Sequence, residues 1–294
     1  MFADLLRKHC GLHFGPDARY LLEKRLARRL RALEMTSFSA YHYRIRSASP
    51  RDEEFTNLID ELTTNETYFF RERSQMRALV GEIFQELQAE RQGVRKSPIS
   101  VWSAGCSSGE EPYSVVILAL EAGMIPGKDL RVYASDISCR MLRKARQGIY
   151  REASFRETEP IFRRKYFTEK DGLWRISDEI KKHVDFIHLN LFDRSKISLL
   201  GAMDVILCRN VIIYFNPESK RTVIQTFHDK LKPGGHLLLG HSESLINLSS
   251  QFELRHLTHD LVYRRPTAEM VVSDRWHSAA GAALARSDRE DEIR

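Results

Sequence analysis

Pro98-Ile99-Ser100-Val101-Trp102-Ser103-Ala104-Gly105-Cys106-Ser107-Ser108-Gly109-Glu110-Glu111 is the stretch that decides how this 294-residue chain folds. A short apolar run enters a turn with glycines at 105 and 109. A helical pattern follows from Glu110 to Ala122 and breaks at Gly123 and Pro126. Outward from there, Leu130–Ser135 reads as a second strand ending in Asp136, and a basic helix runs from Ser138 to about Gln147. Further strands are expected at Val184–Leu189 and Asp204–Cys208, then a helix from Glu218 to Leu231. Leu231-Lys232-Pro233-Gly234-Gly235 reads as a helix stop and turn before a buried strand, His236–Gly240. Strands alternating with helices predict an α/β domain with a mainly parallel sheet. The alternation lapses between Tyr150 and Asp185. There Tyr166–Ile176 reads as a hairpin around Asp171-Gly172, a small antiparallel insert on the ligand-facing side of the sheet.

Upstream the pattern is helical. The expected organisation is an all-α domain over residues 1–78 and the α/β domain over 79–266, with its β-insert at about 150–185. Residues 267–294, with Ala279-Ala280-Gly281-Ala282-Ala283 and mixed charges, are expected to form a mobile tail. A hydrophobic content of 42%, with 10% aromatics, excludes a mostly disordered chain. No run approaches the ~18 apolar residues of a membrane span. The N-terminus places Asp4 before its basic residues and lacks a long apolar stretch, so no secretory signal is expected. Cys10, Cys106, Cys139 and Cys208 lie far apart and match no zinc pattern. Free thiols, no metal and a cytoplasmic location are the expectation.

The net charge is +6, and its distribution matters more than its size. Residues 1–50 hold ten basic groups against four acids, which is the entire excess. Leu22, Leu26, Leu30 and Leu33 form an apolar helical stripe in a helix expected over Tyr20–Met35. Lys24, Arg28 and Arg31 fall on the opposite face, and Arg25 and Arg29 flank the stripe. Such a face is either simply solvated or a docking surface for an acidic partner.

Three constellations bear chemistry. In the first, the glycine turn lets a ligand approach the backbone, and Asp136 ends the next strand, where an acid accepts both hydroxyls of a ribose. Glu110 and Glu111 would repel a diphosphate but suit a ligand with a cationic ammonium, as in S-adenosylmethionine. The second is Thr63-Thr64-Asn65-Glu66-Thr67-Tyr68-Phe69-Phe70-Arg71, which is either a capped helix start with interdomain aromatics or part of a site. In the third, the strand Asp204–Cys208 delivers Arg209, Asn210 and Tyr214 at its C-terminal edge, where a tyrosine face suits a sulfonium.

These blocks, together with Asn190-Leu191, Leu231-Lys232-Pro233-Gly234-Gly235 and Gly240-His241-Ser242-Glu243, resemble in order the motif series of CheR-type chemotaxis receptor glutamate methyltransferases, over about residues 1–265. The resemblance implies a helical N-terminal domain followed by a Rossmann-like class I methyltransferase domain with a small antiparallel β-subdomain. It implies S-adenosylmethionine as cofactor and S-adenosylhomocysteine as product, with chemoreceptor glutamates as substrate. Matched position by position, it places Asn65, Thr67 and Arg71 at the cofactor's amino-acid end and the reaction centre. Glu111 falls nearer the methionine moiety and Asp136 on the ribose, with Gly105 in the cofactor loop. Asn190, Leu191, Asn210 and Val211 line the adenine side, and Arg71 and Tyr214 flank methyl transfer.

The substrate surface in that family is an acidic helical coiled coil, and Lys24, Arg25, Arg28, Arg29 and Arg31 are the expected docking residues. The hairpin turn, Thr168–Gly172, is shorter than in members that grip a receptor's tail peptide. Independence from that peptide is therefore expected, as is a monomer. His241-Ser242-Glu243 is expected to be structural, and Cys106 a packing residue. Two other readings are a nucleic-acid methyltransferase, which lacks here an amine-positioning Asp/Asn-Pro-Pro-Tyr motif, and a cofactor-holding module without turnover, at odds with Arg71 and Tyr214.

Overall fold

A computed structural model describes residues 1–48, 52–91 and 97–267. The tail expected at 267–294 therefore lies, from residue 268 on, outside the described residues. Four helices open the chain: α1 (Phe2–Cys10), α2 (Arg19–Ala32), α3 (Phe38–Ser47) and α4 (Glu53–Leu62). The starts of α3 and α4 are capped by the Ser37 hydroxyl and the Asp52 carboxylate, which accept the orphan N–H groups of Ala40 and Glu54. Leu6, Leu26, Leu30, Tyr41, Ile45 and Leu58 form their shared core. The helix expected to reach Met35 ends at Ala32, because Glu34 turns left-handed and the Met35 N–H returns to the Leu30 carbonyl.

The helical bundle corrects one docking expectation. Arg29 is committed inward, with Nε and Nη2 donating to the Glu54 carboxylate at 3.0 and 2.6 Å while the Tyr41 hydroxyl donates to the same group at 2.6 Å. A guanidinium locked into a buried pair is not free to meet a partner. Arg25 is also partly committed, to the Leu62 carbonyl and the Thr64 hydroxyl. Lys24, Arg28 and Arg31 are exposed, with Arg28 paired to Glu61 at 2.7 Å.

The next helix is continuous through α5 (Arg73–Ala78), one π-helical stretch (Leu79–Ile83) and α6 (Phe84–Ala89). Met76, Leu79, Ile83, Phe84 and Leu87 pack into the core of the sheet that follows. A domain boundary after residue 78 would cut this helix. Its packing places the seam before Arg73, because the apolar face of Arg73–Ala89 is buried on the sheet.

The sheet comprises β1 (Ile99–Ala104), β2 (Leu130–Asp136), β6 (Val184–His188), β7 (Met203–Cys208), β8 (Leu231–Leu239), β9 (Glu253–His256) and β10 (Leu261–Arg264). Between these run α7 (Glu110–Glu121), α8 (Cys139–Gln147), α9 (Pro160–Tyr166), α10 (Asp178–Lys181), α11 (Arg194–Ser198) and α12 (Pro217–Lys230). The strand order is β6-β2-β1-β7-β8-β10-β9, with the first five parallel and β10 antiparallel to both neighbours. Along β1, Val101 faces one core layer and Trp102 the other, as the period of two demands for a sheet buried on both faces. The helix stops as expected, with Leu231 the C-cap of α12, but the expected turn at Leu231–Gly235 is instead a bulge inside β8. The register against β7 jumps from Met203↔Leu231 to Val205↔His236, so the glycines bend a strand that starts early.

The insert is a separate sheet, β3 (Ile149–Tyr150), β5 (Leu173–Ile176) and β4 (Phe167–Lys170), in the order β3-β5-β4. Asp171 and Gly172, at φ 52° and 71°, make its two-residue hairpin turn. It is seated beside the loop after β1: the Tyr150 hydroxyl donates to the Ser108 carbonyl, and Phe69 stacks on Phe155.

His236, fully buried in β8, carries a stability prediction. Burial holds its imidazole near a pKa of about 4, below its ordinary 6.5. Between those values the unfolded chain binds a proton that the folded one refuses, so stability is lost as pH falls through this window. Urea midpoints measured from pH 6.5 down to 5 should fall in the native sequence, and His236→Leu should lessen the slope. An unaltered slope would count against it.

Candidate active site

In an open parallel sheet, ligands bind where successive connections leave in opposite directions. Here that point lies between β1 and β7, under the loops at 105–109 and 209–216. Gly105 sits at φ 89°, and a Cβ there would meet Val211 Cγ2 at 2.5 Å, so glycine is required for the two loops to close together. A cleft opens at this place. Asn65, Thr67 and Arg71 line it from the segment before α5, Gly105 and Glu111 from the turn into α7, and Asp136 from the end of β2. Asn190 and Leu191 follow β6, and Asn210, Val211 and Tyr214 follow β7. Residues predicted from five separate stretches thus share one cavity.

Asp136 accepts the Ser107 N–H at 2.7 Å and the Ser138 N–H at 2.8 Å. Burial raises its carboxyl above the usual range, and these two donors oppose the rise. The helical bundle reaches the same turn. Asp60 of α4 accepts the Ser138 hydroxyl at 2.6 Å and the Arg140 N–H at 3.1 Å, capping α8 from outside.

The two glutamates after the glycine turn part company, since successive helical residues point about 100° apart. Glu111 lines the cleft, while Glu110 turns to the Ser108 and Ser154 hydroxyls on the side of the insert. Burial raises the carboxyl of Glu111, and Arg209 holds it down. The Arg209 side chain is 1% exposed; Nη1 donates to Glu111 at 3.2 Å and Nη2 to Glu72 at 3.0 Å. Its Nη2 also donates to the Arg71 carbonyl. One guanidinium therefore ties the segment before α5 to the first turn of α7.

Arg71 itself donates from Nη1 to the Glu66 carbonyl at 3.0 Å and lies over the Tyr68 ring at 5.5 Å. Burial raises the Tyr214 phenol, with Arg71 the strongest opposing influence, so the ring enters the cleft neutral. Phe70, Glu72, Ser107 and Asn210 all adopt left-handed backbone, between φ 50° and 59°. Such conformations in non-glycine residues are costly, and here they cluster around one cleft.

Cys10, Leu12, Ser107 and Ile137 also line the cleft, although the sequence reading assigned them no contact with the ligand, and so does Arg209, which it placed at the strand edge without a specific role. Cys10 and Leu12 arrive because the end of α1 packs on the sheet, with Asn190 Nδ2 donating to the His9 carbonyl at 2.6 Å and Leu12 bridging to Phe215. No local pattern announces such a contact. Arg209 did carry a signal, a charged residue closing a buried strand. Cys106 is buried, and its thiol is pushed well above its ordinary pKa by that burial, as befits packing.

Two buried polar atoms of the cleft, Ser107 Oγ and Asn210 Oδ1, have no partner among the described residues. Buried polar groups are rarely left so unless a ligand or water completes them. With the Glu111 and Asp136 carboxylates, aromatic and apolar walls, and Arg209 already paired to Glu72 and Glu111, the donor set fits an adenosyl group bearing an amino-acid tail better than a phosphate.

Comparison with known proteins agrees. Residues 1–63 match the family described as CheR methyltransferase, all-alpha domain, and residues 65–261 match CheR methyltransferase, SAM binding domain. The chain is 40% identical over 267 residues to chemotaxis protein methyltransferase 2 of Vibrio cholerae, covering 90% of this chain and 91% of that one. It is 35% identical over 270 residues to the chemotaxis protein methyltransferase of Vibrio parahaemolyticus, covering 90% and 94%. To the chemotaxis protein methyltransferase of Salmonella typhimurium it is 37% identical over 260 residues, covering 87% and 86%.

Proposed function

Because the chain belongs to the CheR methyltransferase family, we propose that its cleft binds S-adenosylmethionine and that its substrates are glutamate side chains on the helical cytoplasmic part of a chemoreceptor. The observation that carries this reading is the convergence, at the switch point of a parallel sheet, of every cofactor and catalytic residue expected from the sequence. In this reading Asp136 takes the ribose. Asn190, Leu191, Asn210 and Val211 enclose the adenine, while Asn65, Thr67 and Glu111 face the amino-acid end.

A bound S-adenosylmethionine would supply an electrophilic sulfonium methyl group for transfer to a glutamate carboxylate oxygen, with S-adenosylhomocysteine as the leaving product and a methyl ester as the result. A glutamate with a pKa near ~4.3 is already ionised at neutral pH, so no general base is needed. The protein's task is placement and exclusion of water. Arg71, held by the Glu66 carbonyl, attracts the carboxylate, and the Tyr214 ring gives the cationic sulfur an aromatic face. The exposed row Lys24, Arg28 and Arg31 on α2 meets an acidic receptor helix, with Arg25 at the edge of the cleft through Thr64.

The two-residue turn between β4 and β5 supports a protein that works without gripping a receptor tail peptide. We place it in the cytoplasm, acting as a monomer. Among the described residues no helix is long and apolar enough to cross a membrane.

The test is transfer of labelled methyl from S-adenosylmethionine to receptor-bearing membranes. The label should enter the receptor as a base-labile ester; entry into RNA or DNA, or none at all, would overturn the reading. In that assay Arg71→Ala should lower the rate by about 100-fold at an unchanged melting temperature. Full activity would remove Arg71 from the site.

A further inference from the structure

The loop that carries Asn210, Val211 and Tyr214 meets the segment after α1 at its far end, where the His13 N–H donates to the Tyr214 carbonyl at 2.9 Å and Leu12 bridges to Phe215. It leaves β7, turns left-handed at Asn210 (φ 58°) and enters a single 3-10 turn, Ile212–Tyr214. A free loop with that backbone would relax, since the left-handed region is costly for a residue other than glycine. At its start, its main chain is held by one carboxylate from the far side, Glu243, four residues beyond the end of β8. Glu243 Oε2 accepts the Asn210 N–H and the Gly240 N–H, both at 2.8 Å. Its other oxygen, Oε1, accepts the Ile213 N–H at 3.1 Å. Gly240 permits this approach, because a Cβ there would lie 2.6 Å from Asn210 Nδ2 and 2.9 Å from Asn210 N.

We propose that Glu243 is a positioning residue for methyl transfer, its two oxygens holding separate parts of the site. Oε2 fixes Asn210 on the adenine side, and Oε1 fixes Ile213 beside Tyr214. Charge-assisted bonds from a carboxylate to several backbone N–H groups are among the stronger ones available, and they act on main chain that side-chain packing does not reach. Burial raises the Glu243 carboxyl, and the Gly240, Asn210 and Ile213 N–H groups oppose that rise by favouring the ionised form. Glu243 itself does not line the cleft, so it acts through the loop. The inference rests on the methyltransferase reading above.

The two-oxygen division makes a specific test. Glu243→Gln retains one carbonyl oxygen. Turned toward Asn210 and Gly240, it satisfies both and leaves an amide NH2 facing the Ile213 N–H, donor against donor. Glu243→Asp keeps the charge and loses reach. Both variants and the native protein are compared by calorimetric titration with S-adenosylmethionine, by steady-state methylation of receptor membranes and by thermal melting. For Glu243→Gln, kcat should fall about tenfold or more while cofactor affinity stays within about threefold. Glu243→Asp should lose both affinity and rate while its melt remains cooperative. Rates and affinities within twofold of native in both variants would overturn the proposal, as would losses that only follow the folded fraction. Failure of the native protein to methylate at all would strike the functional reading instead, so the two are distinguishable.

Discussion

Arg209→Leu should lower the unfolding free energy by about 3–5 kcal/mol, seen as a fall in the denaturant midpoint, and abolish measurable cofactor binding with it. The reason is arithmetic of charge in a buried place. Arg209 is the cation common to Glu72 and Glu111, whose side chains are 12% and 14% exposed. Without it, two carboxylates face each other across the floor of the cleft with little water to separate them. The native triad need not be strongly stabilising in itself, because desolvating three charges consumes most of their attraction. Breaking it is what costs. A second substitution, Glu72→Gln in the Arg209→Leu background, should recover part of the loss by removing one of the stranded charges. If the single variant is as stable as the native protein, the guanidinium is not what holds these segments together.

Asp136→Ala should weaken S-adenosylmethionine binding by about 10–100-fold, the range expected for losing charged hydrogen bonds of about 1.5–3 kcal/mol. Two effects combine. The proposed ribose contact disappears, and the Ser107 and Ser138 N–H groups that Asp136 now satisfies lose their acceptor. The fold should survive, since Asp60 still caps α8 through Ser138 and Arg140. Asp136→Asn retains one acceptor oxygen and should lose less than Ala. Calorimetric titration with S-adenosylmethionine and with S-adenosylhomocysteine reads this directly. An unchanged dissociation constant for both ligands would remove Asp136 from the ribose side.

Ion pairs and hydrogen bonds join α2 and α4 to the turn after β2. Arg29, expected on the receptor-facing surface, instead joins α2 to α4 through Glu54. The neighbouring residues of α4 reach Arg28 by Glu61 and the Asp136 turn by Asp60.

Local pattern by itself determined a good deal here. The strand–glycine turn–helix at 99–121, the two-residue turn at Asp171-Gly172 and the apolar stripe of α2 are each encoded within a dozen residues, by periodicity and by conformations that only certain side chains permit. Because the site of such a sheet forms at the strand ends, the same reading of strands and turns also singled out Glu111, Asp136, Asn210 and Tyr214. What only the tertiary structure decided are the contacts between distant segments. These include Glu110 turning from the cleft while Glu111 enters it, Cys10 and Leu12 arriving from α1, and the β8 bulge that replaces a turn. Above all they include the buried charges, Arg29 on Glu54, Arg209 between Glu72 and Glu111, and Glu243 beneath the loop at 210–213. A charged residue looks the same in sequence whether it meets water or a partner more than a hundred positions away. Burial alone separates the two, and burial is a property of the packed chain.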